Sequence, residues 1–177
     1  MRIAIGYQSR VGKDTFADYI CSHRECIVMS FAARLYKICE TIQTQLGFPV
    51  KKDTGLLQAQ GELLRQYYSP CVWVDPVIRD IQSSSVEKNI IITDVRHIEE
   101  YNALVALGFT MIKITRDNRT IDRDQNHISE TSLANMPFDF IIENNGTIEE
   151  FYSRIVNPPL LVIFSTKSAR PRINPRT

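Results

Sequence analysis

The sequence predicts an α/β protein built on a central parallel sheet of about five strands flanked by helices. Two observations predict it. Short β-branched runs, Arg2-Ile3-Ala4-Ile5, Asn89-Ile90-Ile91-Ile92-Thr93 and Thr110-Met111-Ile112-Lys113-Ile114, are each bounded by polar residues or glycine, as strands buried on both faces are. Helix-like stretches lie between them, and alternation of strand and helix implies a doubly wound sheet with right-handed crossovers.

In chain order, the strand at residues 2–5 ends at Gly6, and a helix follows over residues 14–23. Residues 26–30 read as a second strand. Residues 31–46, 56–68 and 76–82 read as helices, making a helical part at about 31–82. After the strand at 89–93 come a helix at 98–107, the strand at 110–114, a charged segment at about 116–130 and a strand at 138–142. The last helix begins at a capping box, Thr147-Ile148-Glu149-Glu150. One domain accounts for residues 1–164. Residues 165–177, with Lys167, Arg170, Arg172 and Arg176, read as a basic, flexible tail.

Composition narrows the function class. A hydrophobic share of 44% and a charged share of 23% are those of an ordinary globular protein, and 177 residues suit one domain. A net charge of +1 supplies no general drive toward nucleic acid or an anionic membrane. No signal peptide or membrane-length apolar run is apparent, so the expected location is the cytoplasm, or the host cytoplasm for a viral protein. The 4 cysteines form no CxxC pair and are expected to be reduced.

The chemistry begins at Gly6-Tyr7-Gln8-Ser9-Arg10-Val11-Gly12-Lys13-Asp14-Thr15. Phosphate binding needs small residues that let backbone N–H groups approach, a lysine, and a helix N-terminus behind them. A strand ending at Gly6, then Gly12-Lys13 and a helix, meets all three. The spacing of the common GxxxxGK[ST] motif would place its first glycine at position 7, where Tyr7 stands; Gly6 lies one residue earlier. Asp14 occupies the usual Ser/Thr position and is a candidate Mg²⁺ ligand, with Thr15 next to it.

Asp94 and Arg96 follow the strand at 89–93, at the sheet edge where ligands bind in such folds. Asp94 suits Mg²⁺ anchoring, and Arg96 suits bidentate phosphate binding. Arg116, Arg119 and Arg123, interleaved with acids, read as a lid over a transferring phosphate. His127 and Glu130 could order that lid. Asn144, in Glu143-Asn144-Asn145-Gly146, either borders an adenine or serves as a turn residue.

These segments together resemble the deoxynucleoside monophosphate kinases of bacteriophages and large DNA viruses, within the adenylate-kinase-like P-loop kinases. Dephospho-CoA kinase and the animal-type phosphomevalonate kinase are similar. The matching pieces are Gly12-Lys13-Asp14-Thr15, Ser30-Phe31-Ala32 with Leu35 and Lys37, Asp94-Val95-Arg96, the arginine segment, His127-Ile128-Ser129-Glu130, and Asp139 through Asn144-Asn145-Gly146. The resemblance implies transfer of the γ-phosphoryl group of ATP, with Mg²⁺, to a nucleoside 5′-monophosphate. Catalytic roles fall to Lys13, Arg96, Arg116, Arg119 and Arg123. ATP binding falls to Gly6, Arg10, Val11, Gly12, Lys13, Asp14, Thr15, Arg119 and Asn144; Asp14 and Asp94 are the metal candidates. The acceptor set is Arg34, Lys37, Arg65, Trp73, Asp94 and Arg96, with Arg65 preferred for the acceptor phosphate and Trp73 as wall or core. Expected partners are small nucleotides rather than a membrane or nucleic acid, and a homodimer is left open. A kinase of the same architecture with another acceptor, or a non-enzymatic nucleotide-binding protein, are the rival readings.

Overall fold

The computed structural model describes residues 1–84, 88–118 and 127–156. The expectations for Arg119, Arg123, residues 160–164 and the basic tail lie outside these described residues.

The β-branched runs form the expected sheet. Its strands are β1 (Arg2–Gly6), β2 (Cys26–Met29), β3 (Asn89–Val95), β4 (Thr110–Thr115) and β5 (Phe140–Glu143). All pairings are parallel and the order is β2-β3-β1-β4-β5, so the strand carrying the loop is central. The helices are α1 (Lys13–His23), α2 (Ala33–Gln45), α3 (Thr54–Tyr67), α4 (Val74–Ser83), α5 (Ile98–Ala106), α6 (Ile128–Thr131) and α7 (Ile148–Val156).

The period of two along each strand divides the core between the faces of the sheet. Ile3, Ile5, Ile91, Ile112 and Ile114 pack with Phe16 and Ile20 of α1 and with Phe151 and Ile155 of α7. Ala4, Ile90, Ile92 and Met111 face the other way, against Val77 and Ile81 of α4 and Tyr101 and Leu104 of α5. Each such large side chain contributes roughly 1.5–3 kcal/mol on burial, enough to fix the register of the strands beneath the site. A smaller cluster, Leu35, Cys39 and Trp73, with Leu56, Leu57 and Leu64 packed against it, joins α2 to α3 apart from the sheet.

Element ends differ from the sequence reading where local chemistry decides. Helix α4 starts at Val74, two positions before Pro76, because proline is tolerated in a first turn whose N–H groups need no intrahelical acceptor. The Thr147 capping box forms: Thr147 N–H donates to the Glu150 carboxylate at 3.0 Å, and Glu150 N–H to the Thr147 hydroxyl at 3.3 Å. All four cysteines are free thiols, as expected.

Candidate functional site

A cleft of about 1040 Å³ opens beside the C-terminal ends of β1, β3 and β4. The loop supplies one wall through Ser9, Arg10, Gly12, Lys13, Asp14 and Thr15. Helices α2 and α3 supply the opposite wall, and Thr93, Asp94, Arg96, His97 and Glu100 lie between them.

The displaced glycine is accommodated by sending Tyr7 into the core. Its ring is 5% exposed, packs with Phe138 at a centroid separation of 6.4 Å, and lies 5.2 Å from the Lys113 ammonium. The residues after it therefore still line the cleft. Gly12 adopts φ +101°, a left-handed conformation that suits glycine, and a Cβ there would stand 2.5 Å from the Asn144 amide nitrogen. Asn144 is itself buried and donates to the Val11 carbonyl at 2.9 Å. Its amide thus braces the loop from behind. Gly12→Ala is expected to lower stability by about 1–3 kcal/mol, visible as a lower urea midpoint at unchanged slope.

Lys13 is 8% exposed, and its ammonium donates to the Gln8 carbonyl of its own loop. Burial, and then the nearby Arg96, push its pKa down to about 7, against the pull of Glu130, Asp14 and Asp94. The loop therefore holds an amine whose charged form a phosphate would favour.

Asp94 accepts from the Ser30 hydroxyl at 2.6 Å and from the Phe31 and Ala32 N–H groups at 3.0 and 2.9 Å. It ties the turn after β2 to the end of β3, so both of its oxygens are already engaged.

A chain of paired charges crosses the cleft floor. Arg65 of α3 donates to Glu100 at 3.0 Å, and Glu100 accepts the Arg96 and His97 N–H groups at 2.7 and 3.1 Å. The Arg96 guanidinium pairs with Glu130, whose other oxygen accepts from Ser9 N–H at 3.1 Å and the Ser9 hydroxyl at 3.4 Å. The acceptor-side helix, the end of β3, α6 and the loop are thereby linked. Burial raises Glu100 to about 7, with Asp94 adding to the effect and Arg65 opposing it. Burial first, then Arg65, His127 and Arg96, hold His97 down to about 3, so its ring is neutral at physiological pH.

Of the residues named from sequence, the cleft collects Arg10, Gly12, Lys13, Asp14, Thr15, Arg65, Trp73, Asp94, Arg96 and Arg116. Trp73 is 5% exposed and its indole N–H donates to the Gly61 carbonyl at 3.1 Å, so it is mainly core of the helical part, with an edge on the cleft. Two acceptor-side expectations are corrected. Arg34 pairs with Asp80 at 2.8 Å on the surface, and Lys37 is exposed; neither lines the cleft. Gly6 sits under Phe138, and the Val11 side chain is fully buried among α1, α7 and the sheet. Asn144 reaches the site through the loop it braces, not through the cleft wall.

Sequence reasoning missed Ser9, His97 and Glu100, and gave Glu130 too small a part. Glu100 had a signal: it stands three residues after His97 at a helix start, the position that turns back on the preceding N–H groups. Glu130 stood in the matching segment His127-Ile128-Ser129-Glu130, but its partners Ser9 and Arg96 are distant in sequence, so its tie to the loop was not visible.

The strand order, the glycine–lysine loop at the end of the central strand and the arginine-lined cleft are those of a P-loop kinase. The family model for deoxynucleotide monophosphate kinase matches residues 61–155. A putative deoxynucleotide monophosphate kinase of Acanthamoeba polyphaga mimivirus is 30% identical over 178 residues, covering 82% of this chain and 89% of the relative. The deoxynucleotide monophosphate kinase of Enterobacteria phage T4 is 30% identical over 105 residues, 58% of this chain and 43% of that protein. Among solved structures, dephospho-CoA kinase from Campylobacter jejuni superposes with a TM-score of 0.54 at 16% identity, over 92% of this chain and 94% of that one; this likeness is one of fold. The chain belongs to the deoxynucleotide monophosphate kinase family.

Proposed function

We propose that the protein transfers the γ-phosphoryl group of ATP to a deoxynucleoside 5′-monophosphate, giving the diphosphate and ADP. The observation that carries this reading is the charge chain from Arg65 through Glu100, Arg96 and Glu130 to Ser9. It sets Arg65 of the helical wall and Arg96 at the end of β3 in one cleft with Lys13 of the phosphate loop, as transfer between two phosphates requires. The family relatives, named for this activity, support the choice of acceptor.

In this reading Lys13 and the loop amides hold the β- and γ-phosphates, and Arg65 holds the acceptor phosphate. An oxygen of the acceptor phosphate attacks the γ-phosphorus in line while its bond to the β–γ bridging oxygen breaks. That nucleophile is already ionised, so no strong base is needed. Arg96 and Arg116, with Arg119 and Arg123 assigned to a lid, offset charge on the equatorial oxygens. The oxygen donors fit Mg²⁺: Asp14 and Thr15 line the cleft in the first turn of α1, and Asp94 is suited to hold a water. Mg²⁺ takes few protein ligands and keeps several waters, so this small set is sufficient. When bound, Mg²⁺ would supply neutralisation of phosphate charge. No helix among the described residues is long and apolar enough to cross a membrane, and we place the reaction in the cytoplasm, where its small substrates are dissolved.

A transferase releases ADP only when the acceptor is present. ADP formation followed through a coupled assay is expected to depend on added deoxynucleoside monophosphate; equal ADP release without acceptor would mark an ATPase instead. The lowered pKa of Lys13 gives a second expectation. With a pKa of about 7, Lys13 is mostly neutral at pH 8, whereas ATP at that pH is fully ionised and favours the charged amine. Binding should therefore take up a proton at pH 8, and affinity should fall as pH rises further. Calorimetry in buffers of different ionisation enthalpy reads this directly; zero uptake contradicts the assignment.

A further inference from the structure

One side of the cleft carries a regular stripe. Thr54, Gln58, Gly61 and Arg65 line it, at helix spacings that put all of them on one face of α3. Arg65, at the inner end, is fixed by Glu100 beside Arg96. Gln58 lies seven residues earlier, and at 1.5 Å per residue this is about 10 Å along the helix axis. A 5′-nucleotide whose phosphate rests on Arg65 and which lies along α3 would bring its base to Gln58.

The surroundings of Gln58 suit a planar ring. Leu35 and Tyr36 of α2 and Leu57 of α3 line the same cleft, and the Lys52 ammonium lies 5.5 Å from the Tyr36 ring centre. Apolar and aromatic walls with few polar groups are what a pocket for a small planar ligand requires. The Gln58 amide nitrogen is the one buried side-chain polar atom among the described residues that has no hydrogen-bond partner. Such a group is costly to leave unmade, and rotation of the amide toward the cleft would present it to a ligand. A carboxamide has donors and an acceptor side by side, which is how glutamine reads a base edge.

We propose that Gln58 reads the base of the acceptor nucleotide, in a subsite formed with Leu35, Tyr36 and Leu57. This inference rests on the acceptor reading above. It makes Gln58 a specificity residue: it discriminates among bases and takes no part in the transfer itself. A site built to hydrogen-bond a substrate rejects one that cannot return the bond, so its loss lowers selectivity more than turnover.

The test compares wild type with Gln58→Leu, which keeps the bulk and removes the amide. Both are assayed with dAMP, dCMP, dGMP and dTMP at saturating ATP, and binding of the same four nucleotides is measured by calorimetry. The expected result is a fall of about tenfold or more in kcat/KM for the preferred base, carried by KM, with the four values drawn together. A Gln58→Glu variant is expected to reorder the bases, because its carboxylate accepts and no longer donates. Unchanged ratios among the four nucleotides in Gln58→Leu, or no base preference in wild type, would overturn the proposal. Absence of transfer to any of the four would instead sink the acceptor reading, and the binding ratios would still decide the role of Gln58.

Discussion

Replacing Lys13 by alanine is expected to lower phosphoryl transfer by about 10²–10³-fold, the effect of removing one preorganised charge from a transition state. The position allows no substitute: Lys13 is buried at the start of α1, among the loop residues that face the cleft. The fold should persist. The native protein holds this amine with a pKa of about 7, against 10.5 for an unperturbed lysine. Between those values the unfolded chain binds more protons, so the native state gains stability as pH rises from about 7 toward 10.5. Lys13→Ala should remove that slope, so its urea midpoint should depend less on pH across this window. Near-normal transfer in the variant would contradict the site assignment, whereas a loss of activity with loss of the folded circular-dichroism spectrum would show only that the fold failed.

The second large effect concerns Arg96 and the residue that aims it. Arg96→Ala should lower turnover by about 10³-fold, as expected for a cation that acts on the transferring phosphoryl group. Glu130 holds both the Arg96 guanidinium and the Ser9 N–H of the loop, and its side chain is 1% exposed. Glu130→Ala should therefore misplace Arg96 and cost about 10²-fold in kcat, with smaller changes in KM. If Glu130 works through Arg96, the double variant should be no slower than Arg96→Ala alone. Multiplicative losses would mean that the two act independently. Because removing one partner of a buried ion pair also destabilises, Glu130→Gln is the control that retains a hydrogen-bond acceptor for Ser9.

The sheet was legible because its three central strands, β1, β3 and β4, are largely buried. Runs such as Asn89-Ile90-Ile91-Ile92 have no other stable place than between two layers of helices, and both faces of the sheet are covered. The loop was legible for a different reason: phosphate binding calls for small residues and a lysine, and the φ of +101° at Gly12 adds a left-handed backbone that suits glycine. Cleft membership of side chains in the helical part was much less legible. Arg34 and Lys37 on α2 looked as suitable as Arg65 on α3, since composition does not reveal which face of a helix another element covers. The structure decides it by packing Leu35 and Cys39 against Trp73 and leaving Arg34 beside Asp80. Tyr7 shows the same limit on a smaller scale, because only the presence of Phe138 beneath the loop explains how an aromatic residue can stand where glycine is usual.

Phosphoryl transfer from ATP to a deoxynucleoside monophosphate is the central claim, and the label carried by the product tests it most directly. Incubation of the full chain with γ-labelled ATP, Mg²⁺ and each deoxynucleoside monophosphate should yield a diphosphate labelled in its β-phosphate, and Lys13→Ala should nearly abolish that product. Label appearing only in inorganic phosphate, or only in coenzyme A when dephospho-CoA is supplied, would contradict the account.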